Sequence, residues 1–448
     1  MRTVRDLSVV GLAVAAFLTA TTSAAAAAGE PDPQFSKDGK AIVGFPHHIV
    51  KNRALTALGT GNAPVVATSI RRTPDDDPST VGDRYRDVAV ARLRADGTYD
   101  RRFSRDGRAV IRIPGTDQYA ADVAVQPDGK PVVVATNDGS LLVTRMTRDG
   151  SLDRAFSGDG LAEVAFTAAG GIAGVDIAPD GSVIVAGKIQ VPRGGASDAD
   201  FAIAKLTPSG SLDPSFSADG IATVDLASDE AASHSRDEAR AVVVQPDGRI
   251  IVGGFTYPGD FPYGQTEFAL VRLSATGQLD PTFAGDGTVT GDFVTEGGIL
   301  DLALDAQGRL LAVGDAHNPI VARYDPDGDL DAAFAGDGTA SIPFGDRDYA
   351  FGITAQPGGK PALAGVERGR DGGDFAIMRL TGAGTPDLSF AVNGLFSLDL
   401  LRRSQEHGGV PGGFDLASSI AVDAHGRLVA GGTAGGDRAA VVRLLAGR

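Results

Sequence analysis

The feature that most constrains this chain is a unit of about sixty residues that recurs seven times. Its signature is Asp-x-x-Phe-x-x-Asp-Gly. Copies stand at Asp32/Phe35/Asp38/Gly39, Asp100/Phe103/Asp106/Gly107, Asp153/Phe156/Asp159/Gly160 and Asp213/Phe216/Asp219/Gly220. Further copies follow at Asp280/Phe283/Asp286/Gly287, Asp331/Phe334/Asp337/Gly338 and Asp387/Phe390/Asn393/Gly394. Phe35 and Phe390 are 355 residues apart over six intervals, so seven units span about 413 residues and leave no room for a second domain. A repeat of this length marks an array in which each unit buries its faces against its neighbours.

Between signatures the pattern is constant. Short apolar runs alternate and are rich in Val, Ile and Ala, which is the pattern of strands. Asp-Gly turns, as in Gln126-Pro-Asp-Gly129, supply the positive φ that a tight hairpin needs. Four antiparallel strands per unit, seven times over, predict an all-β fold, a seven-bladed β-propeller in which ring closure protects the sheet edges. The frame is offset. The chain starts with the last quarter of a unit, Asp32 to Phe45, and ends with the first three quarters, Ala417 to Leu444. Lys40–Phe45 is therefore expected to pair with Ala439–Leu444, so that the N-terminal strand closes the last blade.

The stretch Gly210-Ser-Leu-Asp213-Pro-Ser-Phe216-Ser-Ala-Asp219-Gly220, with Gln245-Pro-Asp247-Gly248-Arg-Ile-Ile-Val-Gly-Gly254 and Phe268-Ala-Leu-Val-Arg272-Leu273, resembles the delta-60 repeat of bacterial, often exported, proteins. The resemblance implies a propeller. It implies no activity, because members of that family share none. Blade one departs with Gly61-Asn62, and blade six with Gly358-Gly359, in place of Asp-Gly.

Arg2 and Arg5, the apolar stretch Leu7 to Ala20 and the small residues Ala24 to Ala28 read as a signal peptide over residues 1–28, cut near Ala28. Residues 29–448 form the propeller domain, and the expected location is secreted, extracellular. The apolar run is shorter than the roughly 20 residues of a membrane span, so no membrane insertion is expected after cleavage. The formal net charge is −16. A surface this acidic disfavours nucleic acid and suits solubility. Cysteine is absent, which excludes disulfides and thiolate chemistry.

Each unit carries a basic residue seven to eight positions before its signature Asp: Arg92, Arg145, Lys205, Arg272, Arg323, Arg379 and Arg443. We read these as structural ion pairs, such as Arg92–Asp100, with Arg443 reaching back to Asp32. As surface pairs they contribute roughly 0–1 kcal/mol each. Asp325, Asp327, Asp329 and Asp331 alternate as Ca²⁺ ligands do, although Asp327-Gly328 aligns with an ordinary turn of every repeat. Strand order places His47, His48, His234, His317 and His407 on one face and His425 on the other. Long insertions lie on the first of these faces: Ser69–Asp87, Lys188–Asp200, Phe255–Glu267, Glu367–Asp374, Ala227–Glu238 and Leu401–Leu416. Function concentrates on loops held by a rigid scaffold. The aromatic segment Phe255, Tyr257, Phe261 and Tyr263, together with His234 and His407, marks the expected contact region there.

Two functions are compatible with this pattern. The favoured one is a secreted binding or scaffold module acting through loops on one face, a monomer whose partner is an extracellular protein or glycan. The alternative is a metal-dependent lactone hydrolase or lyase with its site in the central channel. There the inner strands bring Leu55, Asp122, Gly174, Ala241, Asp301, Gly352 and Ser419 to one level, with Asp176 two residues deeper. Asp122 and Asp301 are the metal candidates. No Gly-x-Ser-x-Gly elbow with a matched His and no zinc motif is present.

Overall fold

In the computed structural model, residues 27–51, 53–72, 85–113, 116–166, 173–191, 198–226, 236–257, 266–291, 297–314, 318–342, 348–369, 372–401 and 414–447 are described. They form seven antiparallel sheets arranged as a β-propeller. From channel to rim, blade one comprises Leu55–Gly59, Ala63–Arg72, Asp87–Arg92 and Arg108–Ile111. Blades two to six begin at the inner strands Gln118–Val125, Gly174–Ile177, Glu238–Val244, Ile299–Leu304 and Tyr349–Gln356. They end at the outer strands Leu161–Val164, Ile221–Val224, Thr288–Gly291, Thr339–Ser341 and Leu395–Leu398. Blade one has one strand the sequence did not announce: His48–Val50 pairs with the end of Ala63–Arg72 and makes that sheet five-stranded.

Blade seven runs Leu416–Val422, Leu428–Ala434, Arg438–Leu444 and then Lys40–Val43, the first strand of the chain. The register is Lys40↔Val442 to Val43↔Ala439, so the expected closure forms, slightly shorter than anticipated. The turn that joins the third and outer strands in other blades is here made of two chain segments. The Gly29 amide donates to the Leu445 carbonyl (2.9 Å), that of Leu445 to Glu30 (2.9 Å) and that of Asp32 to Arg443 (2.9 Å).

Among the described residues the core consists of seven apolar clusters, one at each blade-to-blade interface. Val134 and Val143 of blade two, for example, meet Val185 and Ala204 of blade three, and Val43 and Val441 of blade seven meet Val66 and Ala89 of blade one. The middle strands are buried almost continuously: a strand buried on both sides needs apolar residues at nearly every position, and a blade between two neighbours is buried on both sides. The signature Phe residues, each at most 1 % exposed, belong to these interfaces. The turn glycine of the next blade lies against each ring. A β-carbon at Gly328 would come within 2.8 Å of Phe283, and its φ of +93° already demands glycine.

All seven expected ion pairs form. Arg92–Asp100, Arg145–Asp153, Arg272–Asp280, Arg323–Asp331, Arg379–Asp387 and Arg443–Asp32 have N···O separations of 2.8–3.0 Å, and Lys205–Asp213 is at 3.4 Å. They are not the surface pairs read from the sequence. Arg272 is 1 % exposed and Asp32 1 %. The six guanidiniums also lie 4.6–4.9 Å above the signature Phe rings. Five of them donate to a carbonyl of the next blade: Arg145 to Pro208, Arg272 to Pro326, Arg323 to Gly382, Arg379 to Ala446 and Arg443 to Ala95. These five arginines thus join their own signature loop to the neighbouring blade. The value for exposed pairs does not apply, because removing one partner strands a buried charge. Burial opposes ionisation of Asp280, yet hydrogen bonds from Thr282 and Arg249 and the charge of Arg272 hold it at about 2. Asp280→Ala is expected to lower stability by about 3 kcal/mol or more in urea melts. Arg102→Ala, at an 82 % exposed side chain, should change it by less than about 0.5 kcal/mol.

Candidate functional site

Inner strands start on the face that carries the insertions, and five of them start irregularly. The pairing register slips between Ala120 and Asp122, Ala239 and Ala241, Ile299 and Asp301, Ala350 and Gly352, and Ala417 and Ser419. Each slip is a β-bulge, with one extra residue on the inner strand. The extra residues are Ala121, Arg240, Leu300, Phe351 and Ser418. All five line a cavity of about 160 Å³ at the channel mouth, with Arg53, Asp122, Ala173, Asp301 and Ser419. Every blade contributes to it. Opposite the bulge the second strand carries a small residue, and in blades four, six and seven it is glycine, where a β-carbon at Gly254, Gly365 or Gly432 would collide with the carbonyl of Glu238, Tyr349 or Leu416. Blade two places Ala135 there.

The scaffold around the cavity is polar but largely committed. The carboxylate of Asp122 accepts from the amide of Val123 (2.8 Å) and from Val175 of the next blade (2.9 Å). Asp176 does the same with Ile177 and Val244 (2.7 Å each), and Asp301 with Leu302 and Ile353 (2.8 Å each). Ser419 Oγ accepts from Thr56 of blade one at 2.8 Å. All four side chains staple one inner strand to the next; Asp122, Asp301 and Ser419 directly follow a bulge residue, whereas Asp176 lies on a regular strand. Burial pushes Asp122 and Asp301 up to about 7 and Asp176 to about 6, against the amide donors that favour the charged form. The negative charges of Asp301 and Asp176 raise Asp122 further.

Two cations face this mouth. The Arg53 guanidinium lies 4.1 Å above the Phe351 ring, and that of Arg240 lies 4.5 Å above Phe255. Ser418 is 5 % exposed, and its hydroxyl, inside the cavity wall, has no hydrogen-bond partner among the described residues. Stacked arginines keep their edge donors in a fixed plane, the geometry that suits carboxylate or phosphate.

The other residues singled out from the sequence scatter. Phe255 and Tyr257 are each 7 % exposed, packed inward under the blade-four edge, and offer no open aromatic surface. Phe261, Tyr263, His234, His317 and His407 lie outside the described residues, as do most of the insertions. His47 is exposed, and His48 Nδ1 donates to the Pro46 carbonyl (2.6 Å). Asp325 caps its own turn by accepting the amides of Asp327 (3.1 Å) and Asp329 (3.3 Å), and Asp331 is paired with Arg323. The turn does not gather these carboxylates into a cation cage. Among the described residues, the group whose carboxylate oxygens do converge within 4.8 Å is Asp200, Asp225 and Asp237. Sequence inspection missed it because its members come from two blades. It also missed Arg53, Arg240, Phe351 and Ser418. A signal existed: one residue too many at the start of an otherwise alternating strand.

The three channel carboxylates have a sign-definite effect on stability. Their folded pKa values lie above the unfolded value near 4, as does that of Asp237 at about 6 through burial. The folded chain therefore holds more protons between pH 4 and 7, and stability falls as pH rises through that window. Thermal melts should show this decline levelling off above pH 7. In the double variant Asp122→Asn, Asp301→Asn the decline should be shallower, on a lower plateau, because an amide nitrogen cannot accept the inter-blade N–H.

The sequence matches the family model described as "Domain of unknown function (DUF5122) beta-propeller" over residues 178–216, 245–283 and 307–334, the hairpin-to-signature parts of blades three to five. No curated protein matches it. Solved structures of similar fold include virginiamycin B lyase from Staphylococcus aureus, a catalytically inactive form with quinupristin (12 % identity, 91 % of this chain and 99 % of that one, TM-score 0.49). Others are the extracellular domains 1-2 of Drosophila Semaphorin 1a (9 %, 90 % and 87 %, 0.48) and a protein of unknown function from Dyadobacter fermentans (12 %, 91 % and 97 %, 0.43). The chain is a seven-bladed β-propeller assembled from a propeller-type repeat, closed by its own N-terminal strand.

Proposed function

We propose that this protein is an exported binding propeller that takes a small anionic ligand, a carboxylate or phosphate, at the channel mouth on the insertion-bearing face. One observation carries the reading. The bulge residues differ in chemistry from blade to blade (Ala121, Arg240, Leu300, Phe351, Ser418), and they converge on one cavity. Their neighbours in the repeat are small or committed to inter-blade hydrogen bonds. Chemically varied side chains that face one shared cavity are what a specificity site needs. A site of about 160 Å³ suits a ligand of a few heavy atoms, with Arg53 and Arg240 as its anion donors and Ser418 as a neutral one. Asp122 and Asp301, held near 7, are mostly neutral in mildly acidic solution and then do not repel an anion.

The metal-dependent hydrolase or lyase reading finds less support. Both oxygens of Asp122, Asp176 and Asp301 accept backbone N–H groups, which fixes these carboxylates as staples rather than as ligands.

Calorimetric titration with inorganic phosphate, succinate and citrate tests the proposal. At least one should bind at pH 6, bind more weakly at pH 8, and lose about tenfold or more affinity in Arg53→Ala and in Arg240→Ala. Arg154→Ala, on the far face, should leave binding unchanged. Wild-type protein that binds none of the three, or alanine variants that bind as wild type does, would refute it.

A further inference from the structure

The face opposite the channel mouth carries the signature loops and the turns between third and outer strands. The repeat supplies an internal control there, since equivalent positions in seven blades share one fold. Over residues 92–108, blade one has six arginines and three aspartates. Over the corresponding residues 323–339, blade five has one arginine and five aspartates. Neither excess is demanded by the fold. Where blade one has Arg101, the other blades have Arg154, Pro214, Pro281, Ala332, Leu388 and Pro33. Where it has Arg105, they have Gly158, Ala218, Gly285, Gly336, Val392 and Lys37.

These charges are presented to solvent. Arg94, Arg101 and Arg105 are exposed and line a groove of about 770 Å³ with Tyr99 and Arg108. Arg94 also lines an adjoining groove of about 620 Å³ with Arg102 and Arg148 of blade two. No ion pair holds Arg94, Arg101 or Arg105 among the described residues. On blade five, Asp327 and Asp329 are exposed at the tip of the turn that corresponds to Arg94–Thr98. A chain of net charge −16 therefore has one positive sector and, four blades on around the ring, one strongly negative sector on the same face.

We propose that this face is a self-association surface, on which a second copy of the chain docks face to face with its blade five over blade one. The geometry of the ring supports this register. A two-fold axis in the plane of the interface that lays blade one on blade five necessarily lays blade five on blade one. It also lays blade two, with Arg148 and Arg154, on blade four, and leaves blade three on the axis. The contact is isologous, so a single charge polarity is satisfied twice. Opposed patches of this kind set register and attract at low salt, and weaken as the Debye length shrinks from about 20 Å to a few ångströms. The channel mouths face outward in such a dimer, so the ligand site proposed above stays accessible and the two proposals fail independently.

Sedimentation equilibrium of the full protein tests this directly. At about 20 mM salt the wild type should be a dimer at micromolar concentration, and at about 0.5 M salt it should dissociate at least tenfold more readily. The double variant Arg101→Glu, Arg105→Glu should be monomeric, as should Asp327→Lys, Asp329→Lys. An equimolar mixture of the two variants should recover a one-to-one dimer, because their exchanged charges match again. Melting temperatures near wild type confirm folding. A wild type that stays monomeric at low salt overturns the proposal, whether or not it takes up an added polyanion such as dextran sulfate. So does a dimer that both variants leave intact, or a mixture that stays monomeric.

Discussion

Everything in this molecule depends on how one blade grips the next. A four-stranded sheet of small and β-branched residues has two apolar faces and no means of covering them alone. The repeat answers with a composite joint, made of a basic side chain, a signature carboxylate, a Phe ring and a carbonyl of the neighbouring blade. In Arg272 these coincide: Asp280 at 2.9 Å, the Phe283 ring at 4.7 Å and Pro326 O at 2.5 Å. Such a joint adds modest net energy, since desolvation offsets much of the Coulomb attraction. Its effect is geometric. The guanidinium ties one blade to the next at five of the joints, and closing the ring leaves no long exposed sheet edge.

The inner strands show a second use of side chains as staples. Asp122, Asp176, Asp301 and Ser419 each bond the backbone of the next blade, and the last of these closes the ring from blade seven to blade one. The bulges that aim Asp122, Asp301 and Ser419 sideways also free the preceding residue to point into the channel. Structural closure and a variable cavity thus arise from one local device. This explains why conspicuous acidic residues near the axis serve the scaffold, while the less conspicuous Arg240, Phe351 and Ser418 shape the mouth.

The two faces differ in how they distribute charge. On the insertion face, cations are drawn inward over aromatic rings at Arg53 and Arg240. On the other face, charge sits on loop positions that the repeat leaves unconstrained, and it separates into sectors. An acidic net charge conceals that polarity, because composition averages over positions that the fold holds far apart.

The seven-fold unit, the four strands per blade, the closing role of Lys40–Val43 and the pairing of Arg443 with Asp32 were all legible in the sequence. Each follows from spacing within one repeated unit, and a closed ring of identical units has a single consistent register. What tertiary structure alone decided was depth and direction. The ion pairs read as superficial are buried, because the next blade covers them. Phe255 and Tyr257 turn inward, because the strand they extend is covered on both sides. The acidic turn Asp325–Asp331 is dispersed into capping and pairing bonds. The channel mouth is built by residues contributed from seven distant units. Alternation along a strand says which way a side chain points only until a bulge inserts one more residue, and that insertion is specified by the partner strand and the neighbouring blade, not by the segment itself.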